Sequence, residues 1–414
     1  MKLAEIIEKY IPGDWGNEVP GNENPYQVSC IRGADIVPIE NVDYSEIPYR
    51  YISERSYNTR LLSVGDIIIE KSGGSPTQST GRVSIVTEDL LMERQNIVCS
   101  NFCEAFRVKS SWNPWYVYYY FRFIYDQGVF FNFEGKTSGL KNLQMDNAFS
   151  SIEIEEFDRS IQDKVANAIL DLDHKIAINH QINRKLEAMA KQIYDYWFVQ
   201  FDFPDANGRP YKSSGGKMVW NDTLKREIPE GWDDCSLIDI ANITMGQSPD
   251  GSSYNCDGNG MIFYQGSTDF GLRFPDVRQY TTAPTRFAKK GDILMSVRAP
   301  VGAINIANND CCIGRGLAAL NSKIGSVSHL YYVINDLRIA FERKNAAGTT
   351  FGAITKDELC DLSVLKPSNS VLSKYESICK EIFDKQMVIG KEMTLLKKQR
   401  DFVLPLFMSV QLSL

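Results

Sequence analysis

The stretch Gly65-Asp66-Ile67-Ile68-Ile69, followed by a glycine- and serine-rich loop and then Arg82-Val83-Ser84-Ile85-Val86, decides how this chain is organised, because it is written twice. Its counterpart is Gly291-Asp292-Ile293-Leu294-Met295 and the loop leading to Ala303-Ile304-Asn305-Ile306. A Gly-Asp pair ahead of a branched apolar run reads as a tight turn feeding a buried strand, so each copy predicts strand, turn, strand. Upstream, Ile31-Arg32-Gly33-Ala34-Asp35 has a partner in Tyr264-Gln265-Gly266-Ser267-Thr268-Asp269, again a β-like run closing on glycine. Downstream, Gly135-Lys136-Thr137-Ser138-Gly139-Leu140-Lys141-Asn142-Leu143 parallels Ala347-Gly348-Thr349-Thr350-Phe351-Gly352-Ala353-Ile354. Two helical stretches then align at a constant shift, pairing Ile161 with Val371, Leu172 with Ile382 and Leu186 with Leu396. The order of elements is conserved between the copies while the spacing drifts, as surface-loop insertions produce.

The chain has 414 residues, 43% hydrophobic and 23% charged, more than one compact domain usually holds. Nine cysteines, an odd number without a framework, suit free thiols in a reducing cytoplasm. No apolar run is long enough to span a bilayer, so a cytoplasmic protein with no membrane partner is expected. Net charge is −7, which does not advertise a nucleic-acid binder. The acid is concentrated early, since residues 1–156 hold 14 basic and 22 acidic side chains. Any binding to DNA would therefore run through local loops or with basic help from a partner.

The first helix, about Arg159 to Val199, shows a heptad with Val165, Leu172, Asn179, Leu186 and Ile193 at one position. Ile161, Ala168, Lys175, Ile182, Met189 and Tyr196 occupy the other. The second helix, about Val371 to Leu404, offers Tyr375, Ile382, Ile389, Leu396 and Val403, with Lys385 aligned to Lys175. An antiparallel intramolecular coiled coil would bury both stripes, with Asn179 and Lys175 fixing register. Two separate amphipathic helices are the alternative. The expected fold class is α/β (α+β), two pseudo-repeated domains joined by two long antiparallel coiled-coil helices. The domains span 1–157 and 205–368, the helices 158–204 and 369–414, and 205–231 reads as a linker with one short strand at Lys217 to Trp220.

Catalytic and metal motifs are missing. There is no phosphate loop, no dinucleotide glycine fingerprint and no His-Glu-x-x-His, and His174, His180 and His329 are dispersed. Cys99 with Cys103, and Cys311 with Cys312, lack a second ligand pair. Asn113-Pro114-Trp115-Tyr116 lacks the second proline of an amino-methyltransferase signature, and Asp173-His174-Lys175 sits on the long helix. No catalytic residue, metal or cofactor is assigned to the chain. Two pseudo-equivalent modules at fixed separation suit a ligand with two sites at fixed spacing, and duplex DNA is the commonest such ligand.

Almost the whole chain resembles the specificity subunit of type I restriction-modification enzymes. Gly65 to Ile69 with Lys71-Ser72-Gly73-Gly74-Ser75 is similar to that family's first recognition hairpin. Gly291 to Met295, continuing through Ser296-Val297-Arg298-Ala299-Pro300-Val301-Gly302 with Cys312-Ile313-Gly314-Arg315-Gly316, is similar to the second. Leu172 to Val199, followed by Phe201-Asp202-Phe203, is similar to the central helix. Two departures stand out. The second helix ends Leu406-Phe407-Met408 rather than Tyr-Trp-Phe, and the first domain has no counterpart of Gly231-Trp232. The resemblance implies a non-catalytic subunit whose two target-recognition domains each read half of a gapped double-stranded DNA site. It also implies helices that set the gap and dock two modification (methyltransferase) subunits, with restriction (nuclease and translocase) subunits joining them. S-adenosylmethionine, ATP and Mg would belong to those partners. A stand-alone DNA methyltransferase and a coiled-coil adaptor that binds no DNA are the alternatives.

Base reading needs Arg, Lys, Asn or Gln, and phosphate contacts need donors on glycine-rich backbone. In the first domain the candidates are Arg32, Lys71, Ser72, Gln78, Ser79, Thr80 and Arg82, with Lys136, Thr137, Ser138, Lys141 and Asn142 nearer the phosphates. In the second they are Gln247, Ser248, Gln265, Ser267, Arg298, Arg315, Thr349 and Thr350. The aromatic run Trp112 to Phe133 reads as a packed helix, because positions 116, 119, 120 and 123 share a face and duplex DNA offers no splayed bases to stack.

Overall fold

The computed structural model describes residues 1–74, 78–137, 140–271, 273–346 and 352–409, without the side chains of 136, 137, 140 and 339–346. The chain divides into two compact units, Met1–Ile182 with Met393–Leu414, and Asn183–Glu392. Each long helix therefore contributes one part to each unit.

The first unit is built on a four-stranded antiparallel sheet in the order Ile7–Pro12, Cys103–Val108, Ile67–Glu70, Val83–Ile85. Beside it, Tyr26–Ile31 pairs parallel with Ile97–Cys99 and antiparallel with Tyr49–Ile52. In the second unit the order is Ala241–Met245, Leu317–Ser322, Ile293–Ser296, Ile304–Ile306, and Met261–Tyr264 pairs parallel with Cys311–Ile313. The registers agree: Ile67 faces Ile85 as Ile293 faces Ile306, and Ile69 faces Val83 as Met295 faces Ile304. The repeat expected from the sequence is present in the pairing of the strands.

It extends to single peptide groups. Asp66 N–H donates to the Ser63 carbonyl and Asp292 N–H to the Lys289 carbonyl, at 3.0 and 2.9 Å. The Asp66 and Asp292 carboxylates accept from the N–H groups of Ser63 and Lys289, at 2.7 and 2.8 Å. Gly65 and Gly291 sit third in these turns at φ +88° and +93°, which accounts for glycine in the motif. Further on, Leu143 N–H donates to the Lys71 carbonyl and Ile354 N–H to that of Val297.

The aromatic run forms the helix Pro114–Asp126, with Pro114 in its first turn and the Asn113 side chain accepting from the N–H groups of Trp115 and Tyr116. Tyr116, Tyr119 and Phe121 are fully buried against Phe106, Phe130 and Phe149, so the run is core. The Asn-Pro pair is thus a helix start.

The central helix spans Arg159–Tyr194 and relaxes into a π-turn over Asp195–Val199; the C-terminal helix spans Asn369–Met408. The two pack antiparallel in each unit. In the first, the Arg400 guanidinium donates to Asp173 at 3.1 Å, while Leu404 and Met408 join Val165 and Ile169. In the second, Gln386 Nε2 donates to Glu187 at 3.2 Å, and Tyr375 packs on Trp197 and Phe198.

The seam of the central helix differs from the expected heptad by one residue. Its buried or half-buried stripe is Gln162, Ala166, Ile169, Asp173, Ile176 and His180 in the first unit, and Asn183, Glu187, Ala190, Tyr194 and Trp197 in the second. Lys175, expected inside, is exposed, as are Ala168, Ile182, Met189 and Tyr196. One residue is about 100° of helix, enough to turn the Lys175 stripe to solvent. Asn179 is buried and Leu172 and Leu186 half-buried at the edge of the seam. On the C-terminal helix Tyr375, Ile389 and Leu396 are buried and Ile382 half-buried as expected, whereas Lys385 is exposed.

The expected linker is also more than a linker. Met218–Asn221 pairs with Arg226–Pro229 in a hairpin, Tyr211 stacks on Phe203, and Ile228 is buried. Phe198, Phe201, Phe203 and Trp232 draw this segment into the second core, which glycine and serine content concealed.

Candidate nucleic-acid interface

In the first unit the fold brings the two expected loops together. Ser72–Gly73 pairs with Leu140–Leu143, which pairs in turn with Glu134–Thr137. The candidate side chains, however, are largely engaged with the protein itself. Arg82 makes a two-pronged contact with Glu70 at 2.8 and 2.7 Å, and Glu70 is only 3% exposed. Ideal Cβ atoms at Gly33 and Gly73 would each lie 2.5 Å from a Glu70 carboxylate oxygen, so both glycines make room for this pair. Arg32 is clasped by Asp35 at 3.0 and 2.8 Å and donates to the Glu46 carbonyl. Lys71 pairs with Glu104 at 2.8 Å and Lys141 with Glu134 at 2.9 Å. Ser72 is hydrogen-bonded to the Asn142 side chain.

Ser79 and Thr80 are buried; the Ser79 carbonyl accepts from Tyr125, and Thr80 donates to Glu134. Gln78 is exposed at the edge of the loop. The side chains of Lys136 and Thr137, and all of Ser138, Thr349 and Thr350, lie outside the described residues.

In the second unit the candidates gather around one tight turn, Gly314-Arg315-Gly316. Gly314 N–H donates to the Tyr264 carbonyl, Gln247 N–H to the Ile313 carbonyl, and Val297 N–H to the Gly316 carbonyl. Arg315 N–H donates to the Ser248 hydroxyl at 3.2 Å. Gln247, Gln265, Arg298 and Arg315 are exposed, and neither arginine forms an ion pair among the described residues. Ser267 opens the short helical turn Ser267–Asp269 next to Gln265.

The frame identifies residues of the first unit that sequence reasoning missed. Asp14 N–H donates to the Cys99 carbonyl as Gln247 does to Ile313, and Ser100 N–H donates to Ile31 as Gly314 does to Tyr264. Asp14, Trp15 and Asn101 thus stand where Gln247, Ser248 and Arg315 stand in the second unit, and Trp15 N–H donates to Asn101 Oδ1 at 3.1 Å. A signal was present. Gly13 and Gly246 lie at the same offset as Ile31 and Tyr264, and a Cβ at either would run into the carbonyl oxygen of Ser100 or Gly314.

Among the described residues no group of three or more His, Cys, Asp or Glu could hold a metal ion. Burial pushes the Cys30, Cys103 and Cys311 thiols up to about 12, which keeps them protonated and unreactive. Asp173 is bound by Arg400 and by the Tyr119 hydroxyl, a structural role. Among the described residues no helix is long and apolar enough to cross a membrane.

Residues 229–389 match the type I restriction modification DNA specificity domain. The chain is 29% identical to a protein of Methanocaldococcus jannaschii assigned as the specificity subunit of the type I restriction enzyme MjaX, over 99% of this chain and 96% of that one. It is 23% identical to the MjaIX specificity subunit of the same organism, over 95% and 93%. The S subunit of a type I restriction-modification system from M. genitalium has a similar fold, with a TM-score of 0.55 at 14% identity over 99% of this chain and 95% of that one. With its repeated frame and paired helices, the chain is similar along nearly its full length to specificity subunits of type I restriction enzymes, and its residues 229–389 match the DNA specificity domain of that system.

Proposed function

We propose that each unit reads one half of a gapped, asymmetric double-stranded DNA site and that the two helices set the length of the gap. The observation that carries this reading is the repeat itself: two units with the same strand register and the same peptide hydrogen bonds present different side chains at equivalent loop tips. Equivalent placement suits two contacts on a helical ligand, and different side chains suit two different sequences. The candidate readers are Gln247, Ser248, Gln265, Arg298 and Arg315 in the second unit, and Gln78 with Asp14, Trp15 and Asn101 in the first. Arg32, Lys71, Arg82 and Lys141 hold the first unit's loops in shape through their ion pairs.

Two modification subunits dock on the outer faces of the helices, restriction subunits complete the assembly, and S-adenosylmethionine, ATP and Mg bind to those partners. A groove of about 720 Å³ along residues 188–200, lined by Lys191, Ile193, Tyr196 and Trp197 among others, supports protein docking there. Met189 and Val199 are exposed nearby. The acidic total charge fits a division of labour in which partner surfaces supply much of the phosphate attraction.

The test is methylation mapping. The chain is expressed with its modification subunit in a host lacking adenine methylation at such sites, and N6-methyladenine is located by sequencing. One gapped asymmetric motif is expected, and exchange of residues 205–370 changes one half alone. A stable complex that adds no methylation would overturn the reading in favour of an adaptor.

A further inference from the structure

We infer that Arg315 is the side chain with which the second unit reads a guanine, a specificity-determining residue and not a phosphate contact. The inference rests on the DNA-reading role proposed above and adds to it the residue and the base.

Four observations converge on this position. First, the turn is anchored on both sides: Gly314 N–H to Tyr264, Leu317 N–H to Gly314, Val297 N–H to Gly316, and Arg315 N–H to the Ser248 hydroxyl. Second, the flanking glycines are required by close approach, since a Cβ at Gly316 would lie 2.5 Å from the Gln265 carbonyl oxygen and one at Gly314 3.1 Å from the Gln265 Cα. The turn is therefore wedged against the Gln265 backbone, and its tip is pre-positioned. Third, Arg315 is exposed and has no carboxylate partner among the described residues, whereas Arg32, Arg82 and Arg107 of the first unit are each held by an aspartate or glutamate. Fourth, two exposed glutamines border the turn through their backbones, Gln247 by its N–H bond to the Ile313 carbonyl and Gln265 by its close approach to Gly314 and Gly316, and glutamine carries base-edge chemistry.

A phosphate contact asks only for positive charge and tolerates a mobile stem. A guanine asks for two parallel donors at the O6 and N7 positions, held in a fixed plane, which a guanidinium on a rigid turn supplies. At the equivalent position the first unit carries Asn101, whose Oδ1 is taken by Trp15 N–H, so the tip changes chemistry between the units while its backbone does not.

The experiment uses the full chain assembled with its modification subunit, as wild type, Arg315→Ala and Arg315→Lys, with melting temperature confirming that all three fold alike. Methylation mapping is combined with competition binding between duplexes altered one base pair at a time, at two salt concentrations. The expected result is that Arg315→Ala relaxes one guanine-containing position, in the half-site that changes when residues 205–370 are exchanged. Discrimination at that position falls roughly tenfold to a hundredfold, with the other positions unchanged. Arg315→Lys, which keeps the charge and loses the fork, relaxes the same position. An unaltered motif in Arg315→Ala, or a half-site without guanine, would overturn the assignment. So would a uniform loss of affinity across sequences with a salt slope lower by about one, the signature of a phosphate contact. Failure of the wild-type complex to methylate any gapped motif would instead count against the DNA-reading role itself.

Discussion

Glu70 and Ser296 occupy the same place in two copies of one frame, and around them the copies part ways. In the first unit Glu70 holds Arg82, Asp66 holds Arg107, Lys71 holds Glu104 and Asp35 holds Arg32. In the second, hydrogen-bond equivalence puts Ser296 and Ala303, Asp292 and Asn321, Val297 and Ala318, and Gln265 and Asp269 at those places. Four ion pairs in one copy become neutral or singly charged sets in the other. The frame therefore does not need the charges, since main-chain bonds suffice to close it. A buried ion pair is worth little over a well-packed neutral replacement, and breaking one half of it is what costs. Asp292, facing Asn321 rather than an arginine, has its carboxyl pushed above the usual carboxylate range by burial.

The Glu70–Arg82 pair is where the two units differ most in stability on substitution. Glu70→Ala strands the Arg82 guanidinium and should destabilise the first unit by about 3–5 kcal/mol. Ser296→Ala, which removes one hydroxyl bonded to the Arg298 carbonyl at 2.7 Å, should destabilise the second by about 1 kcal/mol. Urea unfolding followed by hydrogen exchange in each unit reads both, and equal losses would mean the two sites are held alike.

The next difference lies at the helix that follows each sheet. Ser326 accepts from the His329 N–H as Asn113 accepts from that of Tyr116, so a buried imidazole stands where the first unit has a buried phenol. Burial lowers the pKa of His329 to about 3, and its ring nitrogens have no hydrogen-bond partner among the described residues. The unfolded chain takes up this proton near pH 6.5 and the folded one does not, so the second unit loses stability as pH falls from about 6.5 toward 3. The loss is about 1.4 kcal/mol per pH unit, or about 3 kcal/mol at pH 4.5. His329→Phe should flatten this acid limb relative to wild type, and an unchanged limb would remove His329 as its source.

The shared turn separates the units by less. Gly65→Ala and Gly291→Ala should each cost about 1–2 kcal/mol for the left-handed backbone. Gly65 should cost more, because its Cβ would also meet Pro114 at 3.2 Å, while a Cβ at Gly291 meets nothing within 4 Å among the described residues. The smallest effect is expected from Glu70→Ser with Arg82→Ala, which installs the second copy's residues in the first. Its stability should lie within about 1 kcal/mol of wild type, and a loss as large as that of Glu70→Ala alone would show that the first frame does depend on its charges.

The hairpins were legible in the sequence because Gly-Asp before branched apolar residues carries both the turn and the strand. The helix seam was not. Asp173, His180, Asn183 and Glu187 lie along it, while apolar Ile182 and Met189 face out, so counting apolar residues placed the stripe one residue early. The polar residues go inside because they have partners there: Asp173 has Arg400 and Tyr119, and Glu187 has Arg273 and Gln386. The candidate interface was half legible. Gln247, Gln265 and Arg315 show themselves by residue type, but the capture of Arg82 by Glu70, twelve residues away, depends on strands meeting in space. Asp14 and Asn101 became visible through peptide hydrogen bonds that no side-chain pattern encodes.

A frame closed by peptide groups has a bearing on descent. Peptide groups are the same in every residue, so neither half needs the other's side chains in order to fold. Each could drift in its loops under its own selection. A lineage that exchanges one half of such a chain inherits a working scaffold at once, and only the side chains on its loops are new.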